Sequence, residues 1–148
     1  MEKLSFGVEI PFVDHLGFVL TRFDGGHAEI ELPAKPELLN SFAVTHGGVL
    51  MTLLDVAMAS AARSVSPELG VVTIEMKTSF MRPAMPSDKG PLLAKAELIH
   101  RTATMAFTQA TVLDARGHAC AHATGTFKYM KRLATGARSV NPVQIATD

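Results

Sequence analysis

The sequence predicts an α+β fold in which one antiparallel sheet surrounds one long central helix. A single apolar helical run extends from about Gly47 to Arg63, and strand-like runs fill most of the chain after Val71. No second helix long enough for parallel crossovers accompanies these runs, so the strands should pair antiparallel, as a meander. The helix and the sheet would then bury their apolar faces against each other.

The first elements are short. Residues 11–18 have helical spacing, and residues 17–23 and 27–32 are strand-like runs separated by Asp24, Gly25 and Gly26. This connection favours a tight hairpin because glycine tolerates positive φ. A polar loop over residues 33–45 then leads into the central helix.

The helix predicted over residues 47–63 ends at a segment that contains Pro67 and Gly70. It should be about 25 Å long at 1.5 Å per residue. Its apolar residues occupy every side, so we expect other structure to cover all of its faces.

Four strands are predicted after the helix, over residues 71–82, 92–100, 104–114 and 118–128. The segment that follows them lacks apolar periodicity and contains Gly136 and Pro142. We therefore predict one domain over residues 1–131 and a C-terminal tail over residues 132–148.

The composition excludes several classes of function. Fourteen basic residues balance fourteen acidic ones without long runs of either sign, so neither a nucleic acid nor an acidic membrane surface is expected as a partner. Cys120 is the only cysteine, which excludes an internal disulfide and suits a reducing compartment. The first residues do not resemble a signal peptide, and the apolar run at 49–62 is too short to span a bilayer. We expect a cytoplasmic protein.

Asp55 is the only formally charged residue between Leu38 and Ala62. An unpaired buried carboxylate is costly, so it must be neutralised by a neighbour or kept for chemistry. One alternative is a structural hydrogen bond from Thr52, or from His46 of another chain.

Gly47 and Gly48 stand at the start of the helix, where exposed backbone N–H groups can hold a developing oxyanion. The alternative is that these glycines only allow close packing. Asp55 lies about 12 Å along the helix from Gly47, too far for both to act on one carbonyl within one chain. If they cooperate, a two-fold dimer with shared sites is the natural solution.

Two further polar residues flank the entry to the helix. Asn40 can orient a reacting group, although a loop asparagine commonly forms a turn. His46 can act as a base or as a structural hydrogen-bonding residue.

Together these residues resemble a known family. The pattern Asn40-x5-His46-Gly47-Gly48-x6-Asp55, followed by residues 71–76 (VVTIEM), 80–84 (FMRPA) and 102–108 (TATMAFT), is similar to that of the PaaI-like hotdog-fold acyl-CoA thioesterases. The resemblance covers about residues 10–130 and implies the hotdog fold.

The resemblance also implies a mechanism. The Gly47 N–H would bind the thioester carbonyl, and Asp55 of the partner chain would act as nucleophile or as general base on water. Asn40 and His46 would help to position the reacting groups, and the Thr73 hydroxyl would position water. No metal or other cofactor is implied. The chain would form a homodimer with shared sites, and pairs of dimers would form a homotetramer.

The CoA part of the substrate would contact four residues in proteins similar to this one. Basic side chains and turn amides suit its phosphates, and solvated surface charge is the alternative for each residue. The four are Arg82, His100, Arg101 and Thr102.

Two other functions are alternatives. A non-catalytic module that binds or senses acyl-CoA would need no acid at Asp55, and a hotdog dehydratase would use a histidine and an acid in another loop pattern. The residues do not identify the acyl group.

A metal site at His118, Cys120 and His122 is not expected. These residues alternate along a predicted strand and so share one face, but three ligands spaced in this way spread over about 13 Å, too wide for one ion.

Overall fold

The computed structural model describes residues 3–131 and has the predicted α+β architecture of a hotdog fold. Its elements in chain order are α1 (Pro11–Leu16), β1 (Val19–Asp24), β2 (His27–Leu32), a 3-10 turn (Pro36–Leu38), α2 (Gly47–Arg63), β3 (Leu69–Phe80), β4 (Leu92–Arg101), β5 (Met105–Leu113) and β6 (Ala119–Lys131). None of the helices within residues 3–131 is long and apolar enough to cross a membrane. The predicted tail over 132–148 lies outside the described residues.

The predicted hairpin joins β1 to β2. Asp24 pairs with His27, which leaves Gly25 and Gly26 as a two-residue loop with φ of 54° and 86°. Both angles are positive, as this class of turn requires. Gly26 is also confined by packing, because a Cβ there would lie 3.3 Å from the Cβ of Leu98.

The sheet order is β1-β2-β4-β5-β6-β3. The expected meander holds for β4, β5 and β6, but it is wrong for β3, which pairs with β6 at the edge of the sheet while β4 pairs with β2. The reason is that α2 carries the chain across the sheet before β3 begins. Periodicity identifies strands but not their partners, so the sequence did not reveal this crossing.

The core lies between α2 and the sheet. The helix buries four large apolar residues, namely Leu50, Leu53, Leu54 and Met58, together with Ala57. The strands present many alanines to it, including Ala94, Ala106, Ala110, Ala121 and Ala123. These small side chains allow the helix to lie close to the sheet, so that the interface is densely packed.

One side of α2 remains open within the single chain. Met51 is 38% exposed, and Asp55 and Ala59 are only partly buried. These residues recur every four positions and therefore form one stripe along the helix, which we call the open stripe. A single chain therefore does not cover every face of the helix.

A buried arginine ties the end of α2 to the surrounding loops. Arg63 is 8% exposed, and its guanidinium donates hydrogen bonds to the backbone carbonyls of Phe6 (2.9 Å), Pro67 (3.1 Å) and Leu69 (3.1 Å). A positive charge is also favourable at a helix C-terminus. This role of Arg63 was not predictable from the sequence, because its partners are backbone atoms from separate segments.

We expect Arg63→Met to lower the free energy of unfolding by about 2–4 kcal/mol, because it removes three hydrogen bonds from a buried charged group and leaves their partly buried carbonyls without this donor. Urea denaturation measures this change. The matched control is Arg116→Met at an exposed position, which should leave the midpoint unchanged. Equal midpoints for both variants would contradict the proposed role of Arg63.

Candidate active site

The carboxylate of Asp55 is joined to the edge strand by a hydrogen bond. The Thr73 hydroxyl donates to Asp55 Oδ1 at 2.6 Å. Thr73 stands beside an irregularity in the β3–β6 pairing, where Thr73 pairs with Phe127 but Glu75 pairs with Thr126. Bulges of this kind change the direction of a side chain and are frequent at functional sites.

Two opposing effects act on Asp55. Burial raises the pKa of its carboxyl group above the ordinary value, and the hydrogen bond from Thr73 partly offsets that rise by lowering the pKa. The alternative partner, Thr52, is excluded because its hydroxyl donates to the Gly48 carbonyl at 2.8 Å. A partly buried carboxylate with a raised pKa is typical of a residue used in acid–base or nucleophilic chemistry.

At the start of α2, His46 is a capping residue. Its Nδ1 accepts a hydrogen bond from the Gly48 N–H at 2.9 Å. This ring nitrogen therefore has the structural hydrogen-bonding role that was the alternative to a role as a base. A Cβ at position 48 would lie 3.1 Å from the same nitrogen, so Gly48 allows the cap to form. Close packing therefore explains the second glycine.

Gly47 differs from Gly48. Its backbone N–H donates no hydrogen bond to any residue between 3 and 131. It lies at the positive end of the α2 dipole, where an unpaired amide favours an anion or a polarised carbonyl. Gly47 is thus the amide at the start of α2 that is available as an oxyanion donor.

A cleft of about 370 Å³ lies beside this amide. We call it the Gly47 cleft, and its lining includes Asn40, Thr45, Gly47, Phe80 and Arg82. The structure thus brings together three of the predicted site residues, Asn40, Gly47 and Arg82.

Asn40 has a structural role and retains a free group. Its Oδ1 accepts hydrogen bonds from the backbone N–H of Phe42 (2.9 Å) and of Val44 (3.3 Å), so it forms the turn that sequence reasoning gave as the alternative. Its amide nitrogen has no partner within the described part of the chain. That nitrogen can therefore donate to a group bound in the cleft.

The four residues predicted to contact CoA do not come together within one chain. Arg82 donates its backbone N–H to Cys120 at the start of β6, whereas Thr104, in the turn after Arg101 and Thr102, accepts from Tyr129 near its end. Nine residues of extended strand separate these two points by about 30 Å.

Three of these four residues also have local partners. The Arg101 guanidinium donates to Ser66 Oγ at 2.6 Å and lies 4.2 Å from the centre of the Tyr129 ring. Thr102 accepts from the Met105 N–H, and His100 stacks on Phe107. Arg101 therefore stabilises the turn, whatever further contact it makes.

The expectation that His118, Cys120 and His122 share one strand face is wrong. His118 precedes β6 and lies beside Asp114, Cys120 is buried, and His122 contacts the Thr111 hydroxyl at 2.9 Å. The register shifts between Val112 and Leu113, opposite this end of β6. No group of three or more ligating side chains that could hold a metal ion occurs among residues 3–131.

Two lining residues escaped sequence reasoning. Phe80 lies against Gly47, since a Cβ added there would be 3.4 Å from its ring. Thr45 is 5% exposed and lines the Gly47 cleft. The position of Thr45 immediately before His46 was the only available signal.

Comparison with known proteins identifies the family. The sequence profile described as the thioesterase superfamily matches residues 42–121, which include Gly47, Asp55 and Thr73. The chain belongs to the thioesterase superfamily. It is a thioester hydrolase with the hotdog fold.

Individual relatives agree with this assignment. The proofreading thioesterase EntH of Klebsiella pneumoniae is 27% identical over 122 residues, which cover 81% of this chain and 86% of the relative. The conserved protein PA5202 of Pseudomonas aeruginosa superposes with a TM-score of 0.78 at 26% identity, covering 84% of this chain and 97% of the other. The PaaI protein of Escherichia coli shares the fold, with a TM-score of 0.74 at 24% identity over 86% of this chain and 87% of its own.

We expect Asp55→Asn to raise the thermal midpoint near neutral pH. An acid whose pKa is raised in the folded state holds its proton more tightly there, so stability falls as pH rises from the unfolded to the folded pKa. The asparagine has no charge to bury, and it still accepts from Thr73. The gain should disappear at acidic pH, where Asp55 is protonated.

Differential scanning calorimetry across pH measures this difference. Asp88→Asn at an exposed loop position is the control and should show no such pH-dependent gain. A lower midpoint for Asp55→Asn at neutral pH would contradict the cost assigned to its burial.

Proposed function

We propose that this thioesterase hydrolyses acyl-CoA or aryl-CoA thioesters in the cytoplasm to a free acid and CoA, with Asp55 as the reacting carboxylate and the Gly47 N–H as oxyanion donor. The observation that carries the proposal is the occurrence on one helix of a partly buried carboxylate of raised pKa and an amide that has no partner among residues 3–131. These are the two groups that hydrolysis of a thioester requires, one to attack or to activate water and one to hold the developing charge.

Two routes fit the proposed roles. In the first, the Asp55 carboxylate attacks the carbonyl carbon, CoA leaves as a thiolate that takes a proton from solvent, and water then hydrolyses the resulting anhydride to the free acid and the Asp55 carboxylate. In the second, Asp55 takes a proton from a water molecule that attacks the same carbon directly. Both routes place negative charge on the carbonyl oxygen, which the Gly47 N–H would stabilise. His46 and Asn40 would position the substrate, and Thr73 would orient Asp55.

We also propose that the site is shared across a homodimer. Eight residues separate Gly47 from Asp55, or about 12 Å along the helix, while Gly47 lies near Phe80 and Asp55 near Thr73. If β3 pairs antiparallel with its own copy, the Thr73 end of one strand lies near the Phe80 end of the other. Asp55 would then face Gly47 of the partner subunit.

The exposed surface supports this dimer. β3 is an edge strand of twelve residues, and Val72, Ile74 and Phe80 on it are 44%, 53% and 52% exposed. A long apolar edge of this kind promotes association through its free backbone groups. The open stripe of α2 supplies further apolar surface beside it. The homotetramer would pair two such dimers.

The same dimer bears on CoA binding. Arg82 of one chain and the turn around Arg101 and Thr102 lie at opposite ends of β6, so an antiparallel partner would bring the two ends closer together. We therefore propose that CoA phosphates contact Arg82 of one subunit and the turn of the other, with His100 beside that turn.

We expect Asp55→Ala to lower kcat/KM by at least about a thousandfold, because it removes the reacting group. Release of free thiol from a panel of aryl- and alkyl-CoA thioesters measures the effect. Asp88→Ala, at an exposed loop position, is the control and should retain full activity. Wild-type rates in Asp55→Ala would contradict the catalytic role of Asp55.

The same assay separates the remaining alternatives. Binding of acyl-CoA by the wild type without thiol release would instead favour the non-catalytic sensing module. After a single turnover in water labelled with oxygen-18, label in the Asp55 side chain identifies the first route, because that carboxylate takes up oxygen from water only after it has attacked.

We expect Gly47→Pro to lower kcat by about a hundredfold to a thousandfold, because it removes the oxyanion donor. Proline suits the first position of a helix, and His46 before it already has the extended conformation that proline requires, with φ −60° and ψ 136°. Gly47→Ala keeps the N–H and is the matched control.

Mixing the two inactive variants tests the shared site. A heterodimer of Asp55→Ala and Gly47→Pro would contain one intact site, formed by the Gly47 of one chain and the Asp55 of the other. Unfolding and refolding an equal mixture should therefore restore about a quarter of the wild-type activity, because half of the dimers are mixed and each has one of two sites. No recovery would contradict the shared site.

A further inference from the structure

A second cavity adjoins the Gly47 cleft. It measures about 140 Å³ and is enclosed by Leu32, Leu38, Leu39, Met85 and three prolines. Thr45 lines both this cavity and the Gly47 cleft, so the cavity and the cleft meet at this residue. We call this space the proline-lined cavity.

The walls of the proline-lined cavity are apolar and largely fixed. Leu32 and Leu38 form its interior and are at most 9% exposed, whereas Leu39 and Met85 lie at its rim and are 39% and 50% exposed. Pro33, Pro36 and Pro86 restrict the backbone around it. A cavity with such walls is formed before a ligand enters.

The charge of the cavity is also accounted for. Lys35 is the charged residue among those that line it, and its ammonium group donates to the His15 carbonyl at 2.5 Å. No lining carboxylate is present within the described part of the chain. The cavity therefore favours a neutral, apolar group over a charged one.

Thr45 is the polar group at the junction. Its backbone N–H donates to the Ala84 carbonyl, but its hydroxyl has no partner among residues 3–131 although the residue is 5% exposed. The oxygen itself is not sealed inside the protein, so it is free to donate to a bound group. A ligand that lies across the two spaces would accept this hydrogen bond.

We propose that the proline-lined cavity binds the acyl group of the thioester and that the Thr45 hydroxyl donates a hydrogen bond to the bound acyl thioester. This inference rests on the proposed function, which places the thioester carbonyl at Gly47, two residues after Thr45. An engineered apolar cavity of about 150 Å³ holds one benzene molecule. The preferred acyl groups are therefore neutral and compact, with a single six-membered ring or a chain of about six carbons.

The first test measures binding without hydrolysis. The protein is labelled with ¹³C at the methionine methyl groups, and hexanamide and phenylacetamide are added as neutral probes. The Met85 resonance, assigned with Met85→Leu, should shift saturably, while the buried Met58 resonance in the core should not. An unchanged Met85 resonance at saturating probe would overturn the proposal, whether or not the protein hydrolyses any thioester.

The second test measures specificity by thiol release from butanoyl-, hexanoyl-, phenylacetyl- and dodecanoyl-CoA. The wild type should prefer the hexanoyl and phenylacetyl substrates. Met85→Trp reduces the space, so it should lower kcat/KM for these two by about tenfold relative to butanoyl-CoA, because small volume changes in apolar pockets discriminate on this scale. Ile99→Trp, at an exposed position of β4 outside the cavity, is the control.

The outcomes separate the two proposals. If the wild type hydrolyses none of the thioesters, the proposed function fails and the Met85 resonance alone decides whether the cavity binds acyl groups. If the wild type is active and Met85→Trp has the same preference as Ile99→Trp, the assignment of the cavity fails while the proposed function stands.

The third test concerns Thr45. Thr45→Val should lower kcat/KM by about fivefold to tenfold, the effect of one hydrogen bond, and Thr45→Ser should restore it. The thermal midpoint of Thr45→Val should not fall, because the hydroxyl has no protein partner to lose. A lower midpoint together with equal losses of activity in both variants would show a structural role and overturn the assignment of Thr45.

Discussion

The hydrogen bond from Thr73 to Asp55 is the contact on which the geometry of the site depends. It joins the open stripe of the central helix to the edge strand of the sheet, and so holds the carboxylate at the surface that the chain leaves uncovered. The same bond limits the cost of burying a charge, because it lowers a pKa that desolvation raises. Without it, Asp55 would be more easily protonated and less useful as a nucleophile or base.

The N-terminus of α2 has free backbone N–H groups, which are not all satisfied in the same way. A helix start has several free N–H groups, and His46 satisfies that of Gly48 while the Gly47 N–H remains without a partner in the described chain. The two glycines thus differ: Gly48 packs under the histidine ring, and Gly47 keeps an N–H that we propose as the oxyanion donor. Because Gly47 and Asp55 lie on one rigid helix, their separation within one chain is fixed. In the proposed dimer, Asp55 would instead lie close to Gly47 of the partner subunit.

Much of this arrangement was predictable from local sequence. The bounds of α2, the Gly25-Gly26 hairpin and the importance of Asp55 follow from periodicity, turn chemistry and the cost of a lone charge. The partner of Asp55 was not predicted from the residues as a contact, since Thr52 is nearer in sequence and Thr73 reaches the helix beside a register shift in β3. Arg63 and Thr45 were missed because their surroundings come from distant segments.

The sequence by itself determined the type and extent of the main elements, the family resemblance and the residues on which the proposed chemistry rests. These features depend on short-range patterns, which can be recognised in the sequence. Only the tertiary structure decided that β3 forms an edge, that one stripe of α2 stays open, and that Arg82 lies far from the turn at Arg101 and Thr102. Each of these features depends on the position that the next strand takes in the sheet after the crossover helix. No local pattern of side chains determines that position.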